Sequence, residues 1–223
     1  MTDLKLVIFD VDGTLVDSQA DILASMAAAF ETEGLTSPAR DAVLGIVGLS
    51  LETAIARLAP EQDAATVSRM VEVYKDRYAA LRMSGGTEGS PLYPGMLDLL
   101  HRLHAQDEIL LGIATGKSRR GLKALIDSLD LHGLFVTTQV SDNHPSKPHP
   151  AMLLEAVKEA GVMARNAVMI GDTTYDIDMA RAAGLRSVAV GWGYHPDEAL
   201  AGADRLVHDA AALETAILTL LGD

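Results

Sequence analysis

Between residues 92 and 190 short apolar runs alternate with helical patterns, and few folds accommodate that rhythm. The runs at 109–114, 135–140, 167–170 and 187–190 have the length and composition of buried parallel strands. Helical periodicity falls between them, over 96–105, 119–129, 150–160 and 175–183. Leu4-Lys5-Leu6-Val7-Ile8-Phe9 supplies an earlier strand. Strand followed by helix, repeated, predicts an α/β fold built on a doubly wound, Rossmann-like parallel sheet. Ligands of such sheets bind outside the carboxyl ends of the strands.

A second pattern interrupts the first. Ser18 and Asp21 have the spacing of a capping box, and Ile22, Met26 and Phe30 then recur every four residues before Gly34 ends the helix. Residues 42–44 and 51–58 read as shorter helical pieces divided by Gly45 and Gly48. Val67, Met70, Val71, Tyr74, Tyr78 and Leu81 mark one face of a long amphipathic helix. The stretch 84–91 has the Gly/Ser-rich composition of a linker. The expected organisation is an α/β core from 1–17 and 88–223 with an all-helical insert, linkers included, at 18–87. Two glycines leave Gly45-Ile46-Val47-Gly48-Leu49-Ser50 either a plain helix–helix turn or a loop that dips into the core's cleft.

Composition excludes several function classes. A chain of 223 residues, 48% hydrophobic and 22% charged, can bury a full core and is neither disordered nor fibrous in character. A formal charge of −13 repels polyphosphate backbones, so nucleic acid is not an expected partner. With no cysteine there is no disulfide, thiolate metal site or cysteine nucleophile. The sequence has no signal-peptide pattern and no apolar stretch long enough to span a bilayer, which makes cytoplasmic the expected location and leaves no membrane partner. A monomer or a homodimer is expected.

The chemistry gathers at the predicted strand ends. Asp10 and Asp12 follow the first strand, Thr115-Gly116-Lys117-Ser118 the second, Lys147 lies beyond the third, and Gly171-Asp172-Thr173-Thr174-Tyr175-Asp176 follows the fourth. Residues i and i+2 of a strand face the same way, so Asp10 and Asp12 can act on one substrate, one as nucleophile and the other on protons. Gly13 then permits a sharp turn. Taken singly, these residues also read as caps and turns, and Ser118 reads as a helix N-cap. Together they suit phosphoryl transfer, which needs an in-line nucleophile, charge neutralisation and proton handling.

Ionised Asp10, Asp172 and Asp176 would surround the site while Lys147 answers one charge, so charge balance calls for a divalent cation, and all-oxygen ligands favour Mg²⁺. Thr115 can donate its hydroxyl, and Gly116 lets backbone N–H groups approach a phosphate. Lys147 precedes Pro148, which biases its backbone to an extended form and can hold the ammonium in the cleft. Lys117 either shares that role or faces solvent. None of the histidines has a metal-ligand pattern, and surface or hydrogen-bonding roles are expected, with His149 the one beside the cleft. Trp192 is expected to pack.

These motifs, DVDGT at 10–14, T at 115, K at 147 and GDTTYD at 171–176, resemble those of the haloacid dehalogenase superfamily, in an order that spans almost the whole chain. The helical insert after the first motif is similar to that superfamily's C1 cap, and the layout to its phosphoglycolate-phosphatase-like branch. The resemblance implies that Asp10 attacks phosphorus to give an aspartyl-phosphate while Asp12 protonates the leaving alcohol and then activates water. It implies Mg²⁺ ligation by Asp10, the main-chain carbonyl of Asp12 and Asp172, with Asp176 in support, and phosphoryl binding by Thr115, Gly116 and Lys147. A cap over the site implies a small phosphorylated metabolite as substrate, phosphoglycolate first among the guesses.

Asp12 speaks for a phosphatase or a phosphomutase of the β-phosphoglucomutase type, since the carbon–halogen hydrolases lack an acid there. Lys75 is the only lysine of the insert, on the charged side of its helix, where a surface role is expected rather than the Schiff-base role of the phosphonate hydrolases. A phospho-accepting signalling module also combines acids, a hydroxyl and a lysine. It differs in being far shorter and in lacking a helical insert after its first strand.

Overall fold

The computed structural model describes residues 3–85 and 90–222. Its strands are β1 (Lys5–Phe9), β2 (Ile109–Thr115), β3 (Phe135–Val140), β4 (Ala167–Gly171), β5 (Arg186–Val190) and β6 (Arg205–Val207). Its α-helices are α1 (Gln19–Thr32), α2 (Arg40–Leu44), α3 (Leu51–Leu58), α4 (Ala64–Gly85), α5 (Met96–His104), α6 (Arg119–Leu129), α7 (Ala151–Ala160), α8 (Thr174–Ala183) and α9 (Ala210–Gly222). All the strand pairings are parallel, in the order β3-β2-β1-β4-β5-β6.

Alternation along each strand builds two cores. From β1, Val7 and Phe9 join a cluster with Leu99, Leu103, Leu122 and Ile217, while Leu6 and Ile8 join Met152, Leu153, Met179 and Ala180 on the opposite face. β4 divides the same way, Val168 and Ile170 to the first cluster, Ala167 and Met169 to the second. Helices therefore cover both faces, as the near-continuous apolar character of the strands requires. The chain leaves β1 toward β2 and β3 on one side and returns to β4 on the other. The order thus reverses between β1 and β4, whose ends are level, with Phe9 opposite Ile170 and the Asp10 amide donating to the Ile170 carbonyl at 2.9 Å. Crevices at such switch points are where open α/β sheets bind ligands.

Helices α1 to α4 pack on one another around a separate cluster that includes Met26, Phe30, Ile55 and Met70. The two chain crossings that connect this block to the sheet run side by side: the Asp17 amide donates to the Pro91 carbonyl and the Tyr93 amide to the Leu15 carbonyl, each at 2.9 Å.

Three sequence expectations need correction. Ser18 and Asp21 form no capping box: the Ser18 side chain makes no cap hydrogen bond and bonds instead to Asp12, while Asp21 accepts from Ser90 at 3.1 Å. Local spacing lost to partners brought in by the fold. The expected linker at 84–91 begins inside a helix, since α4 runs to Gly85; its residues 86–89 lie outside the described ones. β6 and α9 carry the sheet and its cover beyond the last predicted strand. Among the described residues no helix is long and apolar enough to cross a membrane.

Leu99 is fully buried where α5 meets the sheet. Leu99→Ala is expected to lower the unfolding free energy by about 2–5 kcal/mol in denaturant titration, the usual cost of a buried leucine truncated to leave a cavity.

Candidate active site

The ends of β1 and β4 and the loop after β3 bring four ionisable side chains together. Asp10, Lys147, Asp172 and Asp176 are each at most 1% exposed. The Lys147 ammonium lies 2.9 Å from Asp10 Oδ1 and 2.7 Å from Asp176 Oδ1. Its peptide bond to Pro148 is cis. Asp172 accepts from the Thr14 hydroxyl and from the Tyr194 amide, both at 2.8 Å. Gly13 makes the turn above it with φ +83°, and a Cβ there would stand 2.2 Å from Asp172 Oδ2, so only glycine fits the close approach.

Asp176 completes a capping box at the start of α8, its Oδ2 accepting from the Thr173 hydroxyl at 2.7 Å and the Thr173 amide at 3.2 Å. Both of its oxygens are thus engaged. Asp10 differs: beyond its ion pair with Lys147, neither of its buried carboxylate oxygens has a hydrogen-bond partner among the described residues. Oxygens of Asp10, Asp172 and Asp176 lie within 4.8 Å of one another, a grouping able to hold a metal ion.

Burial pushes the Asp10 carboxyl up to about 7, with Asp176 and Asp12 adding repulsion and Lys147 opposing. Burial likewise raises Asp172 well above the ordinary carboxylate range, with Asp176 and Asp10 reinforcing it. For Lys147 burial works against the charge, but Asp10 and Asp176 outweigh it and the ammonium is held above its ordinary value. With all three carboxylates ionised against one ammonium, the site would hold an excess of negative charge in a space shut off from water. A hard divalent cation on oxygen ligands fits that charge and the under-satisfied Asp10 carboxylate.

Asp12 stands apart from this group and has its own cation. Lys117 places its ammonium 2.8 Å from Asp12 Oδ1 and donates to the Tyr78 hydroxyl of α4 at 2.8 Å, with the ammonium 4.5 Å from the centre of the Tyr78 ring. The solvent-facing alternative for Lys117 is therefore wrong. Its side chain is 9% exposed, and its pKa is raised because Asp12 and Tyr78 outweigh the effect of burial. Ser18 donates to the same Asp12 oxygen and also meets the Tyr194 hydroxyl at 3.2 Å. Sequence spacing assigns Ser18 a capping role and Tyr78 a packing one and leaves Lys117 between the phosphate site and solvent; what joins them here with Tyr194 is contacts that local spacing does not show.

Thr115 is buried at the end of β2, where its hydroxyl accepts from the Lys117 amide at 3.2 Å, and Ser118 caps α6 by accepting from the Gly121 amide at 3.2 Å. The space that Gly116 leaves open is occupied: a Cβ there would lie 2.7 Å from the Gly48 carbonyl oxygen and 2.5 Å from that of Leu49. The loop from Gly45 to Ser50 thus dips onto the core. Tyr175 donates to the Gly45 carbonyl at 3.0 Å, and Ser146 accepts from the Ser50 amide at 2.8 Å. Between loop, helices and sheet lies a cavity of about 640 Å³ with Asp10, Asp12, Thr115 and Lys117 in its wall.

The remaining residues take simpler positions. His149 is exposed, accepting from the Ala151 amide, and His144 bonds Gln139. Lys75 pairs with Glu72 at 2.8 Å on the surface of α4. Trp192 packs against the core and donates to the Thr14 carbonyl at 3.1 Å.

A parallel α/β sheet with carboxylates, a hydroxyl and a buried lysine at successive strand ends defines a hydrolase-type site at the sheet's switch point. The profile of the haloacid dehalogenase-like hydrolases matches residues 7–190, and the chain belongs to that family. It is 34% identical over 206 residues to the "Probable phosphatase IndB" of Dickeya dadantii, covering 89% of this chain and 86% of that protein. To the phosphoglycolate phosphatase of Mesorhizobium japonicum it is 32% identical over 194 residues, covering 85% and 83%. A β-phosphoglucomutase from Clostridium difficile superposes with a TM-score of 0.85 over 98% of this chain and 97% of that one; at 20% identity this is a likeness of fold alone.

The raised Asp10 pKa fixes the sign of a pH effect. Without metal, the folded protein keeps a proton on Asp10 that the unfolded chain releases between pH 3.8 and about 7, so stability falls as pH rises through that window and levels off above it. Raised Asp172 acts in the same sense. Melting temperatures in chelator are expected to follow this fall, and Asp10→Asn to flatten it. At neutral pH, Mg²⁺ is expected to raise the wild-type melting temperature and to raise that of Asp10→Asn less. Identical profiles for the two proteins would contradict the assignment of these charges.

Proposed function

We propose that the chain is a phosphatase that hydrolyses a small phosphate monoester, phosphoglycolate being the first candidate, through an aspartyl-phosphate on Asp10. The observation that carries this reading is the Asp10 carboxylate itself: buried, with Oδ1 2.9 Å from the Lys147 ammonium, with no further partner for either oxygen among the described residues, and in the wall of the cavity. Oδ2, committed to no donor among the described residues, retains its lone pairs for attack on phosphorus. The relatives named phosphatases support the same reading.

In the first half-reaction an Asp10 oxygen bonds to phosphorus as the ester P–O bond breaks, and Asp12 delivers a proton to the departing alcohol. In the second, Asp12 takes a proton from the water that attacks phosphorus, releasing Asp10 and inorganic phosphate. Thr115, the backbone at Gly116 and Lys147 hold the non-bridging oxygens, where charge builds in the transition state. Asp10, the main-chain carbonyl of Asp12 and Asp172 would hold Mg²⁺, with Asp176 keeping Lys147 in place. The cation supplies neutralisation that lets a phosphate approach these carboxylates. Residues 18–87 act as a cap that excludes bulk water, and Lys117 with Ser18 aims Asp12 at the leaving oxygen.

Phosphate release from a panel of small esters is the test. Activity is expected to require a divalent cation, to fall roughly 10⁴-fold or more in Asp10→Asn, and to fall about 10²- to 10⁴-fold in Asp12→Asn. Activity surviving chelator and Asp10→Asn would contradict the proposal. Transfer to a sugar phosphate without free phosphate would instead assign the mutase reaction on the same residues.

A further inference from the structure

The outer part of the cavity is walled by two helices whose facing rows are not used by the reaction described above. Tyr74, Tyr78 and Arg82 follow at four-residue intervals on α4, and Arg120, Ala124 and Ser128 do the same on α6; all line the cavity. In the middle of the α4 row Tyr78 accepts from Lys117, whose ammonium also touches Asp12. One turn further out, Arg82 donates through Nη2 to the Ser128 hydroxyl at 2.6 Å, while its buried Nη1 has no hydrogen-bond partner among the described residues.

The charges around Arg82 sharpen the point. Lys75 and Lys117, the other cations in the cavity wall, are paired with Glu72 and Asp12. No carboxylate of a described residue forms an ion pair with Arg82 or Arg120, in a chain whose net charge is −13. Of the other acids in the wall, Asp142 accepts the Arg119 amide at 2.6 Å and Glu52 lies on α3. A buried guanidinium N–H without an acceptor carries a desolvation cost that an anionic ligand group removes, with a charge-assisted hydrogen bond in return.

Taking the phosphatase reading as its basis, the geometry points to Arg82, with Arg120 at the cavity mouth, as a subsite for a second anionic group on the alcohol half of the substrate. The substrate class is then a phosphate monoester whose alcohol carries a carboxylate or a second phosphoryl group. Lys147 and Thr115 take the reacting phosphate and Arg82 takes the far end, so the α4–α6 wall selects for charge at a distance from the chemistry.

The test compares kcat/KM for matched esters in wild type, Arg82→Gln and Ser128→Ala: neutral alkyl phosphates, phosphoryl-carboxylates of the same chain length, and bisphosphates. Wild type is expected to favour one of the doubly anionic series. Arg82→Gln is expected to lose about 10- to 100-fold on that series and less than about threefold on the neutral esters, while Ser128→Ala keeps the preference. The series that collapses in Arg82→Gln identifies the group as carboxylate or phosphoryl. Equal losses on neutral and anionic esters, or the same loss in Ser128→Ala as in Arg82→Gln, would make the pair a mere strap between the helices and overturn the inference. Hydrolysis of neutral esters with no anionic preference would remove the subsite and leave the phosphatase standing. If no ester of any series releases phosphate, the phosphatase reading fails and the subsite with it.

Discussion

One ammonium, Nζ of Lys147, sits in a space closed to water between Asp10 at 2.9 Å and Asp176 at 2.7 Å, and the surrounding backbone is arranged about that contact. Burying charges is costly unless each is paired and hydrogen-bonded. Asp176 meets the condition through Lys147 and the Thr173 capping box, and Asp172 is held by Thr14 and Tyr194. Asp10 alone is left under-satisfied. The sheet brings these groups together because the order reverses between β1 and β4, which places their ends level and opens a crevice above them.

Asp12 belongs to a second, separate arrangement that joins the sheet to the helical block. Lys117 reaches Asp12 from the end of β2 and donates to Tyr78 of α4, while Ser18 at the entrance to α1 bonds the same carboxylate. Burial keeps the Tyr194 hydroxyl, which meets Ser18, well above its ordinary pKa and hence protonated. Asp12 is thus positioned by residues of both the core and the helices, whereas Asp10 is positioned by the core alone. A helical block that shifts its position would move the environment of Asp12 and leave that of Asp10 nearly unchanged.

The strands from β1 to β5 were legible because each carries apolar residues to two cores and so reads as a short hydrophobic run. Ser118 was legible because an N-cap is a local contract between a side chain and amides within one turn. Ser18 had the same local credentials and failed, since Asp12 and Tyr194 compete for its hydroxyl. β6 spans only Arg205–Val207 at the sheet edge, too short for a period. α9 was available in principle, with Leu213, Ala216, Ile217, Leu220 and Leu221 at helical spacing. Lys117 and Arg82 were not: a lysine beside a helix cap and an arginine on a charged helix look solvated until the fold supplies Tyr78, Asp12 and Ser128. The motif residues at strand ends were readable as a set, and the cavity wall between α4 and α6 was not.

The most direct measurement is chemical trapping at Asp10. Borohydride added during turnover with Mg²⁺ reduces an acyl phosphate to the alcohol, which would convert Asp10 into homoserine, and peptide mass spectrometry locates the change. Substrate-dependent reduction confined to Asp10 is the predicted result. Reduction at another carboxylate, or none under conditions that sustain turnover, would contradict the assignment of Asp10 as the group that accepts the phosphoryl.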